Sequence, residues 1–321
     1  MSPSRTDAAR LLAVSLAFGV AAACASGGRG SGPDLDTTFS AQIASSWHWA
    51  GAPQRVQMGI FGNDANGLRV VTQGSIDLAF SYLGSDGSGA PEPGPSATAK
   101  YVPVPGTEVS GDAPTLLTGA RGVYEAEDVV FDAAGVWRVT LDAEIDGVAR
   151  ELTADLAVTE KSPIPAPGDR ALLTENLTVD AKGTADASID SMATGGEGIP
   201  DPELHEWTIA DAVKQGRSAL ILFGTPAFCE SQFCGPEVEE LQRLAAAYPD
   251  RAVYIHIEIW KDFEGQVVNR AAADWLLRDG DMTEPWLYLV DADGIVADRW
   301  GSLFDATEVA AALEALPRMD Q

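Results

Sequence analysis

The chain is short of cysteine and of positive charge, and each shortage excludes something. Its 321 residues hold 3 Cys, and 21 Lys and Arg stand against 48 Asp and Glu, giving a formal net charge of −27. A surface field of that sign repels polyanions, so nucleic acid and anionic lipid headgroups are excluded as partners. The acidity itself reads as the surface of a soluble exported protein, and nothing links it to catalysis. Long apolar runs are also lacking: beyond residue 23 no segment offers the roughly 20 apolar residues that a membrane span requires. What is present suffices for folding, since 45% hydrophobic content over this length supports two cored domains.

The N-terminus reads as an export signal. Arg5 and Arg10 supply a positive start, residues 11–23 are apolar and rich in small side chains, and Ala21-Ala22-Ala23-Cys24 resembles a bacterial lipobox with Ala21 where Leu is commoner. Residues 1–23 are therefore expected to be a lipoprotein-type signal peptide and Cys24 its lipidation site, with ordinary signal-peptide cleavage as the competing outcome. A lipid on Cys24 would tether the protein to the outer face of the cytoplasmic membrane through a linker over 24–50, whose start at 26–32 is rich in Gly and Ser. With Cys24 in the leader, Cys229 and Cys234 have only each other to pair with.

Residues 51–160 read as short strands at 55–61, 68–72, 76–82, 135–141 and 151–158, with 84–94 a Gly, Ser and Pro loop. Asp146-Gly147 is a hairpin signal joining the last two runs, and Trp137 alternates with Val139 and Leu141 so as to point into a core beside Phe131 and Tyr124. The pattern Tyr124-x4-Val129-x-Phe131-x3-Gly135-x-Trp137 resembles the late strands of small bacterial immunoglobulin-like extracytoplasmic domains, which implies a sandwich without a disulfide. Copper-binding domains of that architecture need a His or Met cluster. Only His48 and Met58 are on offer here, so this half is expected to be a spacer or docking module without metal.

Residues 161–202 read as a linker, stiffened by Pro163, Pro165 and Pro167 and loosened at 194–198. Residues 203–318 then alternate. The pattern predicts a helix over 208–215, a buried strand over 218–223, a helix over 236–248 and a buried strand over 252–260. A helix over 268–277 follows, then strands over 286–290 and 295–300, and a last helix that Asp305 and Glu308 open as a capping box. Between the first strand and its helix stand Phe228-Cys229-x4-Cys234, and Glu284-Pro285 precedes the third strand.

These features resemble an exported thioredoxin-like domain, and with the leader they are similar to actinobacterial thioredoxin-domain lipoproteins. The resemblance implies an all-β immunoglobulin-like sandwich followed by an α/β thioredoxin-like fold, with Pro285 as the family's cis-proline. It further implies thiol–disulfide exchange with extracytoplasmic proteins, Cys229 as nucleophile, Cys234 as resolving thiol, and Trp286 and Phe228 contacting the substrate. The chain departs from the family in having four residues rather than two between the cysteines, and Leu222 where a buried Asp accepts protons. Residues five apart on a regular helix lie about 8 Å from each other, too far for a disulfide, so the bond requires a non-helical 230–233 segment. Both cysteines then sit near the positive end of a helix dipole, which favours thiolate.

Glu258 is the expected proton acceptor with His256 as its partner, the alternative being that both merely hydrogen-bond within the fold. Exchange itself has three competitors. The disulfide is structural rather than catalytic; or Cys229, Cys234 and His256 bind copper, as in the Sco-type chaperones that they partly resemble; or the domain is a binding module whose Trp260, Trp286 and Trp300 meet a partner. On the exchange reading no cofactor is needed; if the Sco-type resemblance holds, copper is.

Overall fold

Period-two alternation of apolar and polar residues governs the first half of the chain, and in the computed structural model it becomes ten strands. These are β1 (Thr38–Ile43), β2 (His48–Trp49), β3 (Gln54–Asp64), β4 (Gly67–Thr72), β5 (Ser75–Tyr82), β6 (Glu92–Pro103), β7 (Thr115–Leu117), β8 (Gly122–Val129), β9 (Gly135–Ile145) and β10 (Val148–Thr159). The structure describes residues 37–65, 67–107, 109, 111–119, 121–193, 198–229 and 233–319; the expected leader, Cys24 and residues 230–232 lie outside these.

All ten strands join one sheet, ordered β2-β10-β9-β5-β6-β8-β3-β4-β7 with β1 paired to β3. The sheet curls into a half-barrel, far enough that Arg150 of β10 lies 4.0 Å over the ring of Phe39 in β1. Its concave face buries Val56, Met58, Ile60, Phe80, Phe131, Trp137 and Leu141. Trp137 is 1% exposed, meets Phe131 at 5.0 Å between ring centres, and satisfies its indole N–H on the Ala133 carbonyl at 2.9 Å. The β9–β10 hairpin turns at Asp146 and Gly147, with φ of 50° and 76°, the left-handed conformation that an Asp-Gly pair tolerates.

The second half comprises α1 (Ile209–Lys214), β11 (Ala219–Phe223), α2 (Cys234–Ala247), β12 (Val253–Ile257), β13 (Trp260–Asp262), β14 (Val267–Val268), α3 (Arg270–Leu276), β15 (Trp286–Val290), β16 (Val296–Gly301) and α4 (Ala306–Ala315). A four-stranded sheet runs β12-β11-β15-β16, with β11 parallel to β12 and antiparallel to β15. Because both faces are covered, β11 is apolar throughout. Ile221 and Phe223 pack with residues of α1 and α3, and Leu220 and Leu222 with those of α2 and α4.

The expected fold class, an immunoglobulin-like sandwich followed by an α/β thioredoxin-like domain, is overturned. The chain is mostly β, 41% strand and 16% helix, and its strand-rich half is one curled sheet rather than two packed ones. The reason lies in β6, which falls where the sequence pattern predicts a loop and leaves the chain beyond it unassigned. β6 pairs with β5 on one edge and β8 on the other, and so joins what would otherwise be two sheets. Thr38–Ile43 and His48–Trp49, expected within a linker, form β1 and β2 instead.

The two sheets are fastened together within one compact unit. Gln57 of β3 docks on the backbone of Leu303, donating through Nε2 to its carbonyl and accepting from its N–H at 3.3 Å. Arg55 of β3 grips Asp298 of β16 in two hydrogen bonds, at 2.9 and 3.0 Å, and Glu308 of α4. The capping box at α4 is thus half formed. Asp305 accepts from the Thr307 N–H at 2.8 Å, while Glu308 turns to Arg55 and to the Trp300 indole at 3.0 Å.

Candidate functional site

The all-apolar β11 ends at Phe223, and the chain leaves the sheet through Gly224-Thr225-Pro226. Cys229 and Cys234 are joined by a disulfide with their Cα atoms 6.0 Å apart, and Cys234 is the first residue of α2. The helix therefore starts at the second cysteine, two residues earlier than the Pro236 that the sequence pattern predicts. An α-helix leaves its first N–H groups without internal partners, and here the Cys234 N–H donates to Cys229 Sγ at 3.3 Å. Cys234 has no exposed surface, Cys229 is half-buried, and Phe228 beside it is 39% exposed. Phe228 stacks on Phe263 with ring centres 3.8 Å apart.

Pro285 follows a cis peptide bond, as expected, and faces this loop. Gly224 lies between them: a Cβ placed there would be in ordinary contact with Cys234 Cβ at 3.4 Å and Pro285 Cβ at 3.6 Å. The residue before the proline, Glu284, takes the Thr225 N–H at 2.9 Å on the same Oε2 that lies 3.9 Å from Cys234 Sγ. The sequence gives no sign of this carboxylate's place beside the sulfur, although the Glu284-Pro285 pair stands out there.

Glu258, the expected proton acceptor, sits elsewhere. β12 ends at Ile257, so the predicted alternation through residue 260 breaks, and the buried Glu258 carboxylate accepts from the N–H groups of Ser191 at 2.9 Å and Trp260 at 3.1 Å. Ser191 in turn accepts from the Ala227 N–H at 3.1 Å. Glu258 thus supports the cysteine loop at one remove. Trp286, expected to touch substrate, is 4% exposed; its indole donates to Thr283 Oγ1 at 3.0 Å and its ring lies 5.0 Å under the Arg299 guanidinium. Trp300 is buried too, so no exposed trio forms with Trp260 and Trp286.

His256 does not face the sulfurs. Its Nε2 pairs with the Gly224 carbonyl at 3.1 Å and its Nδ1 stands 3.5 Å from Asp190 Oδ2. On the other side of Asp190 lies His205, Nε2 to Oδ2 3.4 Å, and the two imidazole centres are 5.1 Å apart. All three residues are buried. Burial alone would raise the Asp190 carboxyl, but the two facing imidazoles, the charge of His256 and the Met192 N–H hold it well below its ordinary value. Burial lowers His205, whereas in His256 the same desolvation is outweighed by Asp190 and the charge of Glu258, and its value is raised. The site thus favours positive charge beside Asp190. Asp190 falls within the expected linker and His205 just beyond it, and neither carries a motif in the sequence.

A scan against protein-family models and a search of curated proteins matched nothing to this chain. No helix among the described residues is long and apolar enough to cross a membrane.

Proposed function

We propose that this is an exported, lipid-anchored protein that carries out thiol–disulfide exchange on extracytoplasmic proteins, the chemistry of the thioredoxin-like family it resembles around Cys229, Cys234 and Pro285. The observation that carries the reading is the asymmetry of the cysteine pair. Cys229 is half-buried and its sulfur accepts the first helical N–H, while Cys234 is enclosed beside the Glu284 carboxylate. An N–H donor and a helix start both favour the thiolate over the thiol, and the thiolate is the nucleophile.

In the reducing direction the Cys229 thiolate attacks one sulfur of a substrate disulfide. The Cys229–substrate bond forms as the substrate S–S bond breaks, and the first substrate thiolate leaves. Cys234 then loses its proton to Glu284 and attacks Cys229 Sγ, forming the internal disulfide and expelling the second substrate thiolate. Two electrons pass from the dithiol to the substrate; in the oxidising direction the same steps run backward. The exposed Phe228–Phe263 stack next to Cys229 is the apolar surface that a substrate peptide would meet. Lipidation of Cys24 would hold the site at the outer face of the membrane.

The test is trapping. Cys234→Ser with Cys229 intact should accumulate a mixed disulfide with a model disulfide peptide, while Cys229→Ser should not. Failure of both variants to form an adduct, with the wild-type bond resisting reduction until unfolding, would make the disulfide structural.

A further inference from the structure

We infer that Asp190, His205 and His256 form a binding site for one divalent first-row metal ion, with zinc the expected occupant. The argument starts from the orientation of His256. Its Nε2 lies 3.1 Å from the Gly224 carbonyl, an acceptor only, so that nitrogen carries the proton. In the neutral ring Nδ1 then presents a lone pair, and it aims that lone pair at a carboxylate oxygen, Asp190 Oδ2, 3.5 Å away. Two lone pairs facing each other in a buried site repel unless a cation lies between them.

A proton fits that gap poorly. A charge-assisted N–H···O⁻ hydrogen bond spans about 2.7 to 2.9 Å, whereas the two imidazole nitrogens stand 3.4 and 3.5 Å from Oδ2. Neither His205 Nε2 nor His256 Nδ1 makes a hydrogen bond, although both histidines are 1% exposed. A metal ion fits better. With bonds of 2.0 to 2.1 Å in a tetrahedral arrangement, ligand atoms stand about 3.3 to 3.4 Å apart. The two distances to Oδ2 match that spacing, and all three candidate ligand atoms lie within 4.8 Å of one another.

The contacts around His256 and Asp190 are those that ligands need. A metal-bound imidazole characteristically donates its second N–H to a backbone carbonyl, which fixes the tautomer, as His256 does to Gly224. A ligating carboxylate is itself held, and Asp190 Oδ1 accepts the Met192 N–H at 2.8 Å, leaving Oδ2 for the ion. Two imidazoles and a carboxylate suit zinc and its neighbours, and the fourth position would be left to water. The three ligands come from a turn after a short 3-10 helix at Asp186–Ser188, from the end of another at Pro202–His205, and from β12. One ion would thus pin two loop segments to the strand whose neighbouring Gly224 lies beside Cys234 and Pro285.

The experiment uses the full chain, with its disulfide intact and again after reduction, stripped with chelator and titrated with Zn²⁺ and Co²⁺ by calorimetry and absorbance. One ion per chain is expected, with a cobalt spectrum free of the thiolate charge-transfer band. The Cys229→Ser/Cys234→Ser variant should bind equally well. His205→Asn should weaken binding by at least about 100-fold, the upper end of what even an outer partner costs; Asp190→Asn, checked for folding by near-UV circular dichroism, should do the same. The inference is overturned if the wild type binds no metal, if a folded His205→Asn or Asp190→Asn variant binds as tightly as wild type, or if a cobalt–thiolate band places the ion on the cysteines.

Discussion

Replacing Arg55 by Met tests whether the curled sheet and the four-stranded sheet fold as one unit. The guanidinium spans both: besides its paired bonds to Asp298 and its contact with Glu308, it donates to the Arg299 carbonyl at 3.1 Å and lies 4.8 Å over the Trp300 ring. Methionine keeps the apolar stem but leaves two carboxylates facing each other across the junction. Breaking a fully buried pair costs about 3 to 5 kcal/mol, whereas an exposed pair contributes about 0 to 1. The side chains here are 19%, 30% and 26% exposed, between those limits, so the expected loss is about 2 to 3 kcal/mol. Urea unfolding, followed by tryptophan fluorescence and far-UV circular dichroism, should give one transition for both proteins, shifted down by that amount in Arg55→Met. Adding Glu308→Gln should restore about 1 kcal/mol by removing one of the opposed charges. A loss below about 0.5 kcal/mol, or separate transitions for the two sheets, would refute the reasoning and return the molecule to two independent domains.

Two further outcomes follow from one buried and one half-buried carboxylate. Burial pushes Glu125, which accepts from Gln57 Nε2, up to about 7, against the opposing pull of that hydrogen bond and of the Arg55 charge. Between its unfolded value of 4.5 and about 7 the native state holds the extra proton, so stability present below pH 4.5 is lost as pH rises through 7. The loss is about 3 kcal/mol, and Glu125→Gln should remove that part of the slope when denaturation is compared at pH 5 and pH 8. Glu284→Gln keeps an acceptor for the Thr225 N–H but removes the base beside Cys234. Single-turnover kinetics should show mixed-disulfide resolution slowed by about 100-fold, and alkylation of Cys229 unchanged; equal slowing of both steps would remove Glu284 from the role.

Where a feature rests on local chemistry, it is legible in the sequence. Asp146-Gly147 makes its turn because the dipeptide tolerates left-handed backbone, and β11 is buried on both faces because its residues are uniformly apolar. The cysteine pair and Pro285 are legible for the same reason. The curl of the sheet is not, because it depends on β6, whose inward positions are Ala97, Ala99 and Tyr101 in a run opened by two prolines and a glycine. Small side chains give a weak strand signal, yet the backbone ladder forms through N–H and C=O groups that every residue but proline carries. The end of β12 at Ile257 is equally hidden, and with it the turning of Glu258 toward Ser191. Asp190 and His205 lack any spacing signal, since Asp190 lies in a stretch that reads as a linker and His205 in a short turn just beyond it.

The central claim, that Cys229 and Cys234 are a working redox couple, is tested most directly by their reduction potential, measured by equilibration with glutathione and dithiothreitol buffers and read by alkylation and mass spectrometry. The account predicts a reversible couple between roughly −120 and −270 mV, the span of known exchange proteins. A potential below about −300 mV, or a bond that yields only when the protein unfolds, would contradict it.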